Sequence, residues 1–298
     1  MIDYEKKNSF YTFTFYKCIP ISNPSILRQR IRKQAANLQI IGTIMLTEEG
    51  INSTISSISL ENLNKMITLL EKRFGKIEFR KSLSENKPFK RLKVKVRKEI
   101  VPSGTNVSLE KKSSNYVKPE DWDDFINQDS VITIDVRNNY EVKVGTFRNS
   151  ISPETKSFRE FNSFIESLRN NFENKKLAIF CTGGIRCEKA SALFSEKGFN
   201  DVYQLEGGIL NYFKKSKDKK NFVGECFVFD DRVTVDKNLN PGDFIQCFAC
   251  RRPISKIDKN RPEYTEGISC HNCIDEKSND DRKRFADRQN QNLLNNKK

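Results

Sequence analysis

The alternation of apolar and polar residues predicts an α+β domain in the first hundred residues. Runs rich in β-branched and aromatic side chains indicate strands, and they lie at residues 9–17, 39–47, 51–57, 76–83 and 92–101. One amphipathic helix begins at Asn23 and Pro24, a cap followed by a proline that fits the first turn. Another follows Ser59 and ends at Gly75. The order β-α-β-β-α-β is that of a ferredoxin-like domain.

From about Val117 the pattern changes to that of a parallel α/β sheet. Short, almost wholly apolar runs, typical of strands covered on both faces, alternate with helical periodicity. The predicted strands are 131–136, 176–181 and 202–205, and the predicted helices are 121–127, 158–171 and 186–197. We therefore expect a multidomain chain in which an α+β part precedes an α/β part.

Composition excludes several classes of protein. Hydrophobic residues make up 36% of the 298 residues, and 22 Phe supply enough apolar volume for ordinary cores. The sequence shows neither an apolar run long enough to span a membrane nor the apolar stretch of an export signal. We expect a cytoplasmic protein with no membrane partner, whose eight Cys are reduced, metal-bound or catalytic. The single histidine, His271, excludes sites built on several histidines.

The positive charge is concentrated in the first part of the chain. The net charge is +14, and residues 1–120 alone carry 23 basic and 11 acidic side chains. Between Lys72 and Lys98, 12 basic residues stand against two acidic ones. Such a stripe is typical of proteins that bind a phosphate backbone; the alternative is a solvated charged surface without a partner. The candidate RNA-binding residues are Lys90, Arg91, Lys93, Lys95 and Arg97, of which the last three share one face of a predicted strand.

A loop that contains cysteine is the strongest candidate for chemistry. The segment Cys181–Cys187, CTGGIRC, joins a predicted buried strand to a predicted helix whose first turn holds Arg186. The residues between Cys181 and Arg186 are Thr182, Gly183, Gly184 and Ile185. A turn with two glycines can curl backbone N–H groups around the Cys181 sulfur, next to a helix N-terminus and a guanidinium. Those conditions lower a thiol pKa and stabilise a thiolate or a persulfide, so we predict a reactive Cys181.

The last part of the chain contains a second cysteine pattern. Two CxxC pairs are separated by 19 residues, and their members are Cys247, Cys250, Cys270 and Cys273. Each pair can offer two thiolates to one tetrahedral ion, which predicts a structural zinc site with His271 as an alternative ligand. The other interpretation is four reduced thiols, or a site that has lost its metal. Beyond Asp275 the chain is charged and rich in Asn, which predicts a frayed helix or a flexible tail over 276–298.

Residues 117–216 resemble the rhodanese domain. The resemblance rests on Asp135-Val-Arg137, Tyr140-Glu141, Gly145, the Cys181 loop and GFNDVYQLEGGILNY at 198–212. It implies that Cys181 is the persulfide-forming nucleophile of a six-residue active-site loop, and that Asp135 and Arg137 support this loop from the neighbouring strand. Thr146 departs from the histidine that rhodaneses commonly have after this glycine, at a position that is usually structural.

Motifs along the whole chain resemble one multidomain group, the rhodanese-containing tRNA uridine hydroxylases. They are EGIN at 49–52, KVKVR at 93–97, FCTGGIRCEKAS at 180–191, EGGI at 206–209 and FVFDDRV at 227–233. The resemblance implies a ferredoxin-like domain over 1–105, a rhodanese domain over 117–216 and a Cys-rich region over 225–275. It also implies that molecular oxygen is used to hydroxylate the wobble uridine, position 34 of tRNA, to 5-hydroxyuridine. The expected partner is then the anticodon region of tRNA and not DNA, and the electron donor is left open.

The sequence has no glycine fingerprint for a flavin or a nicotinamide, so the activation of oxygen does not follow from it. Our hypothesis is that Cys181 adds to the uracil ring next to C5 while Arg186 and the loop amides stabilise the developing negative charge. Cys187 either resolves an oxidised Cys181 or packs a helix. Two alternatives stay open. One is a sulfurtransferase that carries a persulfide, for example for tRNA thiolation, and the other is a non-enzymatic tRNA-binding protein with a vestigial rhodanese domain.

Overall fold

The computed structural model describes residues 9–85, 87–105, 107–109, 114–168, 172 and 175–295. The chain divides into two compact units, residues 1–112 and 113–298. Among the described helices, none is long and apolar enough to cross a membrane.

The first unit is a five-stranded sheet with two helices packed against it. Its elements are β1 (Phe10–Cys18), α1 (Pro24–Asn37), β2 (Ile41–Thr47), β3 (Gly50–Ser57), α2 (Leu60–Phe74), β4 (Phe79–Ser84) and β5 (Leu92–Val96). The strand order is β4-β1-β3-β2-β5, in which β1, β2, β3 and β4 pair antiparallel and β5 runs parallel to β2. The predicted ferredoxin-like order is confirmed for the first four strands, and the last predicted strand is added at the edge beside β2.

Alternate strand positions and one stripe of each helix form the core of this unit. The buried side chains of α2 are Leu63, Met66, Ile67, Leu70 and Phe74. This helix begins where the Ser59 side chain accepts a hydrogen bond from the Asn62 N–H at 3.2 Å. It ends at Gly75, whose φ of +73° favours glycine. The caps read from the sequence therefore lie where they were expected.

The second unit is built on a parallel sheet of four strands. Its first elements are β6 (Ser114–Val117), α3 (Trp122–Ile126), β7 (Val131–Asp135), α4 (Asn139–Val142), β8 (Gly145–Phe147), α5 (Phe161–Leu168), β9 (Lys176–Phe180), α6 (Ile185–Glu196), β10 (Val202–Leu205) and α7 (Gly208–Lys215). The strand order is β6-β10-β9-β7, and all three pairings are parallel. The predicted α/β sheet is confirmed. The predicted helix at 158–171 is a short 3₁₀ turn, Phe158–Glu160, followed by α5, and its last three residues lie outside the described ones.

The segment after α7 returns to the core of the α/β sheet. It contains β11 (Phe222–Gly224), β12 (Cys226–Phe227) and β13 (Thr234–Val235), and β11 pairs antiparallel with β8. Phe222, Val228 and Val235 are buried among the apolar side chains that form the core of this α/β part. The apolar side chains up to Val235 therefore complete this core, and the predicted start of the Cys-rich region at 225 stays a prediction.

The last elements hold the cysteine pairs. They are β14 (Ile245–Gln246), β15 (Pro253–Ile254), a 3₁₀ turn (Ile257–Asn260) and α8 (Asn279–Asn295). For 276–298 a frayed helix or a flexible tail was predicted, and α8 covers 279–295 of this range. Arg288 of α8 donates to the carbonyl oxygen of Phe248 at 2.7 Å and to that of Gly267 at 3.2 Å. These bonds connect α8 to the cysteine region.

Candidate active site and metal centre

Cys181 lies at the carboxyl end of a central strand, where ligands bind in open parallel sheets. It directly follows β9, and α6 begins four residues later at Ile185. Gly184 makes the turn into the helix with φ +97°, a conformation that glycine adopts without strain. The predicted strand, loop and helix around Cys181 are therefore present, with the strand one residue shorter than predicted.

The Cys181 sulfur is enclosed by its own loop. The side chain is 0% exposed, and the Gly184 N–H donates a hydrogen bond to the sulfur at 3.0 Å. Burial by itself raises the pKa of Cys181. A hydrogen bond from the Cys187 thiol, the positive charge of Arg186 and the backbone N–H groups of Cys187 and Gly183 outweigh it and lower the pKa to about 5. At neutral pH this sulfur is a thiolate.

Cys187 is the protonated partner of that thiolate. Its side chain is 0% exposed in the first turn of α6. Burial, the hydrogen bond with Cys181 and the negative charge of Cys181 raise the pKa of Cys187 well above its usual value. Of these two cysteines, Cys181 is therefore the ionised one, and Cys187 keeps its proton.

Arg186 is held in a buried, bidentate ion pair with Glu141. Its Nη1 and Nη2 donate to the two carboxylate oxygens at 2.6 Å and 2.7 Å, and Glu141 is 0% exposed. Burial lowers the pKa of Arg186, but the Glu141 charge and hydrogen bonds reverse the effect, so the guanidinium stays charged. Our hypothesis gave Arg186 a direct part in stabilising charge on the substrate. Since its fork is bound to Glu141, its action at Cys181 is mainly that of a fixed positive charge.

Glu141 was not given a role by our reading of the sequence. It lies on α4, where its carboxylate also accepts from the Asn138 N–H at 3.2 Å and so closes a capping box. Its ion-pair partner Arg186 is 45 residues away in the sequence. A local signal was present, since Asn138 and Glu141 have the spacing of a capping box, but nothing local points to Arg186.

Asp135 and Arg137 form a rigid support below the loop. Both side chains are 0% exposed, and the Arg137 Nη2 donates to the Asp135 Oδ2 at 2.6 Å and to the Gly145 carbonyl oxygen at 2.6 Å. Thr146 donates its hydroxyl to the same Asp135 oxygen at 2.8 Å. The Val136 N–H donates to the Phe180 carbonyl oxygen, one residue before Cys181, at 3.0 Å. The threonine that departs from the rhodanese pattern is therefore part of this structural support.

The start of α7 closes the site from the other side. The N–H groups of Ile209 and Leu210 donate to the carbonyl oxygens of Cys181 and Thr182 at 2.9 Å and 3.2 Å. Gly208 has φ +68°, and a Cβ atom there would lie 2.5 Å from the Cys181 carbonyl oxygen and 2.9 Å from the Gly184 nitrogen. Only glycine fits this approach. The sequence showed the two adjacent glycines, and the missing signal was that a distant loop packs on them.

A third buried thiol, Cys226, lies beside this support. Burial raises the pKa of Cys226 to about 12, although the positive charge of Arg137 opposes the shift. Thr182 and Glu141 also contribute to its environment. Cys226 therefore stays protonated while Cys181 ionises, and the difference comes from the loop amides and Arg186.

The four predicted metal ligands converge. Their four sulfurs all lie within 4.8 Å of one another, and they belong to Cys247, Cys250, Cys270 and Cys273. The Cys250–Cys270 and Cys270–Cys273 sulfur pairs are 3.8 Å and 3.7 Å apart. A tetrahedral zinc ion with Zn–S bonds of about 2.3 Å requires sulfurs about 3.8 Å apart. The donor set and its spacing fit a metal ion such as zinc, which these four thiolates would hold in a closed site.

His271 stands outside this cluster of four sulfurs. Its Nδ1 lies 3.7 Å from the Asp258 Oδ1. The Nε of Arg261 donates a hydrogen bond to the same oxygen at 2.7 Å. The alternative ligand named from the sequence is therefore directed to a carboxylate, and the four cysteines form a complete donor set without it.

The predicted RNA-binding residues belong to the first unit and are all exposed. Lys90, Arg91, Lys93, Lys95 and Arg97 lie on or beside β5. In the register of the sheet, Lys93 lies next to Thr43 and Lys95 next to Met45 of β2. The cations therefore form a row along the edge strand, on the face opposite the buried Val94.

Family models match both units of the chain. Residues 10–100 match the UPF0176 acylphosphatase like domain, and residues 118–215 match the Rhodanese-like domain. Together these two domains have the architecture of the UPF0176 family. The fold class predicted from the sequence is confirmed, and its ferredoxin-like part is of the acylphosphatase type.

Several solved structures are similar to parts of the chain. One is the rhodanese-like domain of an Anabaena protein, with 13% identity over 37% of this chain and 78% of that one and a TM-score of 0.30. A rhodanese-related protein from Thermoplasma volcanium is 24% identical over 34% of this chain and 92% of its own, with a TM-score of 0.25. An acylphosphatase from Bacillus subtilis is 11% identical over 29% of this chain and 97% of its own, with a TM-score of 0.23.

Proposed function

We propose that this protein hydroxylates the wobble uridine of tRNA at C5 and that the thiolate of Cys181 is its nucleophile. The observation that carries the proposal is the environment of that sulfur. It accepts a hydrogen bond from the Gly184 N–H at 3.0 Å, and its pKa is about 5. A thiolate that exists at neutral pH needs no histidine base, and the one histidine of the chain is His271, beside the cysteine cluster.

The proposed reaction begins when the Cys181 sulfur adds to C6 of uracil, the atom next to C5. The S–C6 bond forms, and the electron pair of the C5–C6 double bond makes C5 nucleophilic. Molecular oxygen is the oxidant: one of its atoms ends on C5, and the other leaves as water. A two-electron reductant and two protons complete the balance. Loss of the C5 proton and release of the sulfur from C6 then restore the double bond and the thiolate.

The residues around Cys181 have separate tasks in this scheme. The loop amides and the charge of Arg186 stabilise negative charge, first on sulfur and then on the ring. Glu141 keeps Arg186 in place through the bonds of 2.6 Å and 2.7 Å. Cys187 keeps its proton and donates a hydrogen bond to the Cys181 sulfur, which stabilises the thiolate when it leaves C6.

The basic edge strand of the first unit would bind the tRNA backbone. Its exposed cations are sequence-independent phosphate contacts, which give affinity and a dependence on salt. The cysteine cluster would hold zinc in a closed, four-ligand site with no open position for substrate, so its part is structural.

A sulfurtransferase is the second candidate, and the Rhodanese-like domain favours it. In that reaction a sulfane sulfur moves from a donor to Cys181 as a persulfide and then to an acceptor. The same amides that stabilise a thiolate would stabilise a persulfide. A sulfur carrier for small acceptors has no need of a first unit with a row of exposed cations, and this favours an RNA substrate for either chemistry.

The decisive experiment is nucleoside mass spectrometry of bulk tRNA from cells without this gene, complemented with wild type, Cys181→Ala or Cys18→Ser. Cys18 is a cysteine of the first unit and controls for removal of a thiol. We expect 5-hydroxyuridine derivatives to return with wild type and Cys18→Ser but not with Cys181→Ala. Their persistence in the deletion strain, together with loss of a thiolated uridine, would establish the sulfurtransferase instead.

The RNA-binding part has its own test. We expect Lys93, Lys95 and Arg97 replaced together by Ala to weaken tRNA binding and to lower the slope of log K against log salt by about 2, because each lost phosphate contact removes roughly 0.7–0.9. The matched control is the triple replacement by Ala of Lys214, Lys215 and Lys217, three exposed lysines of the second unit that carry the same charge. An equal loss in both variants would show that net charge alone matters.

A further inference from the structure

We propose that Phe229 is the platform on which the target uracil stacks while Cys181 reacts with it, an inference that rests on the proposed function. Phe229 is 71% exposed, in the turn between β12 and β13. It is nevertheless next to the active-site loop, because the guanidinium carbon of Arg186 lies 5.9 Å from the centre of its ring. An exposed aromatic ring therefore borders the loop that encloses the nucleophile.

The ring is attached to the loop through its neighbour Phe227. The rings of Phe227 and Phe229 meet edge to face, with centres 5.1 Å apart and planes at 88°. Phe227 is 1% exposed, and its carbonyl oxygen accepts a hydrogen bond from the Thr182 hydroxyl, next to Cys181, at 3.4 Å. On its other side Phe227 packs edge-on against Tyr140, at 5.4 Å. A movement of the Cys181 loop is thus coupled to the position of Phe229.

The turn that carries Phe229 is held in one conformation. Arg232 donates its Nε and Nη2 to the two carboxylate oxygens of Asp230 at 2.9 Å and 2.7 Å. The Val228 N–H donates to the Val233 carbonyl oxygen at 2.9 Å, and Val233 itself has φ +64°, which a β-branched residue rarely adopts. Since these bonds hold the turn and the Phe227 ring packs against Phe229, a ligand that binds Phe229 loses little entropy in ordering it.

The chemistry of the ring selects a flat, unpaired base. The guanidinium of Arg186 lies near the ring, and its Nη1 and Nη2 each donate to Glu141, so its fork is directed at this carboxylate. What remains accessible is an aromatic surface, and stacking on such a surface is how proteins hold single-stranded bases. The wobble base of an anticodon loop is unpaired. A uracil stacked on Phe229 would lie beside Arg186, the last residue but one of the loop that begins at Cys181.

The test uses the full chain and an anticodon stem-loop RNA with 5-bromouridine at the wobble position. We expect irradiation of the wild-type complex to crosslink this base to the peptide that contains Phe229, as identified by mass spectrometry. Phe229→Ala should bind the stem-loop about tenfold more weakly, which is about 1.4 kcal/mol, and should restore little 5-hydroxyuridine in cells. Phe229→Trp, which keeps a stacking surface, should restore both.

Two further variants distinguish stacking on the ring from a contact that needs only apolar bulk. Ile257→Ala removes another exposed apolar side chain, 79% exposed, and should leave binding and modification unchanged. Phe229→Leu keeps apolar bulk without the π surface and should behave like Phe229→Ala. Full activity of Phe229→Leu, or loss of modification by Phe229→Ala with unchanged RNA binding, would overturn the platform and indicate a docking site for a protein.

Failure of this inference differs from failure of the proposed function. If Phe229→Ala restores 5-hydroxyuridine as well as wild type does, the platform is wrong and the hydroxylase stands. If wild type itself restores none, the proposed function fails and the platform fails with it. The pH dependence of Cys181 alkylation in Phe229→Ala should match that of wild type, which shows that the nucleophile itself is undisturbed.

Discussion

Two cysteines of the second unit, Cys181 and Cys270, are equally buried but lie in chemically opposite surroundings. Cys181 is 0% exposed, and so is Cys270 of the cysteine cluster. The sulfur of Cys181 is surrounded by donors and a positive charge, namely the Gly184 N–H, the Cys187 thiol and Arg186. The sulfur of Cys270 is surrounded by other sulfurs, at 3.7 Å and 3.8 Å.

The difference shows that what surrounds a buried thiol, and not burial itself, decides its chemistry. A thiol among amide donors and a guanidinium becomes a lone thiolate that can attack a substrate. Thiols among thiols compete for the same protons: the hydrogen bonds from Cys250 and Cys270 lower the pKa of Cys247, while the pKa values of Cys250 and Cys270 are raised. Such a group becomes fully ionised when a metal ion replaces the protons.

The largest expected effect follows from breaking the cysteine cluster. Cys270→Ser leaves three thiolates for the ion, and binding of structural zinc supplies about 10–16 kcal/mol in zinc-finger peptides. We expect the zinc content to fall from about one ion per chain to almost none and amide protons of residues 245–275 to exchange rapidly. Cys18→Ser is the control for the metal content. An unchanged exchange pattern in a metal-free variant would show that the structure of residues 245–275 does not depend on a bound ion.

The next largest effect concerns the buried ion pair beside Cys181. Glu141→Gln keeps the shape of the side chain but leaves the charge of Arg186 buried without its partner, which costs about 3–5 kcal/mol. The measurement is the free energy of unfolding in urea. The control is Glu166→Gln at the half-exposed Lys197–Glu166 pair, where we expect a loss below about 1 kcal/mol. Equal losses in both variants would contradict the structural role of Glu141.

A smaller effect is expected where α7 packs on the loop. Gly208→Ala and Gly198→Ala both place a side chain at positive φ, +68° and +87°, which costs about 1–2 kcal/mol. Only at Gly208 would the new Cβ atom collide with the backbone of the Cys181 loop, whereas nothing lies within 4 Å of that at Gly198. The difference in unfolding free energy between the variants measures this collision, and we expect roughly 1–3 kcal/mol. Equal unfolding free energies of the two variants would mean that the backbone of the Cys181 loop shifts to accommodate the new Cβ atom at little cost.

The sequence predicted those features that are encoded locally. Ser59 and Gly75 marked the ends of a helix, two glycines after Cys181 marked a tight turn, and the CxxC spacing marked a metal site. The helix ends, the turn and each CxxC pair are signals that lie within a few residues, and the physics that produces the local structure acts over the same distance. The structure has the helix ends and the turn where the sequence put them, and it brings the four cysteine sulfurs within 4.8 Å of one another.

The remaining features depend on residues that are far apart in the chain. Glu141 gains its role from Arg186, 45 residues later, and Thr182 meets the Phe227 carbonyl across 45 residues. Gly208 is required because a distant loop approaches it, which no local pattern reveals. The short strands β8 and β11 are too brief to give a period of two, and they form because they pair with each other.

The smallest expected effect is the change of the Cys181 alkylation rate with pH, and a small change is what an activated thiol should show. With a pKa of about 5 for Cys181, its alkylation rate should rise only about twofold between pH 5 and pH 8, because half of the sulfur is already ionised at pH 5. An ordinary cysteine with a pKa near 8.5 should accelerate several-hundredfold over the same range. The measurement is the rate of carboxamidomethylation of Cys181, followed by peptide mass spectrometry.

The same low pKa makes the stability of the fold depend on pH. The folded state binds the thiol proton of Cys181 less tightly than the unfolded state, so the unfolded state carries more protons between the two pKa values. The stabilisation is therefore fully present above the unfolded pKa and is lost as the pH falls towards 5. We expect the wild type to gain unfolding free energy relative to Cys181→Ala as the pH rises from 5 to 8. A difference that stays constant over this range would mean that the loop does not favour the thiolate, and the contrast with the cysteine cluster would disappear.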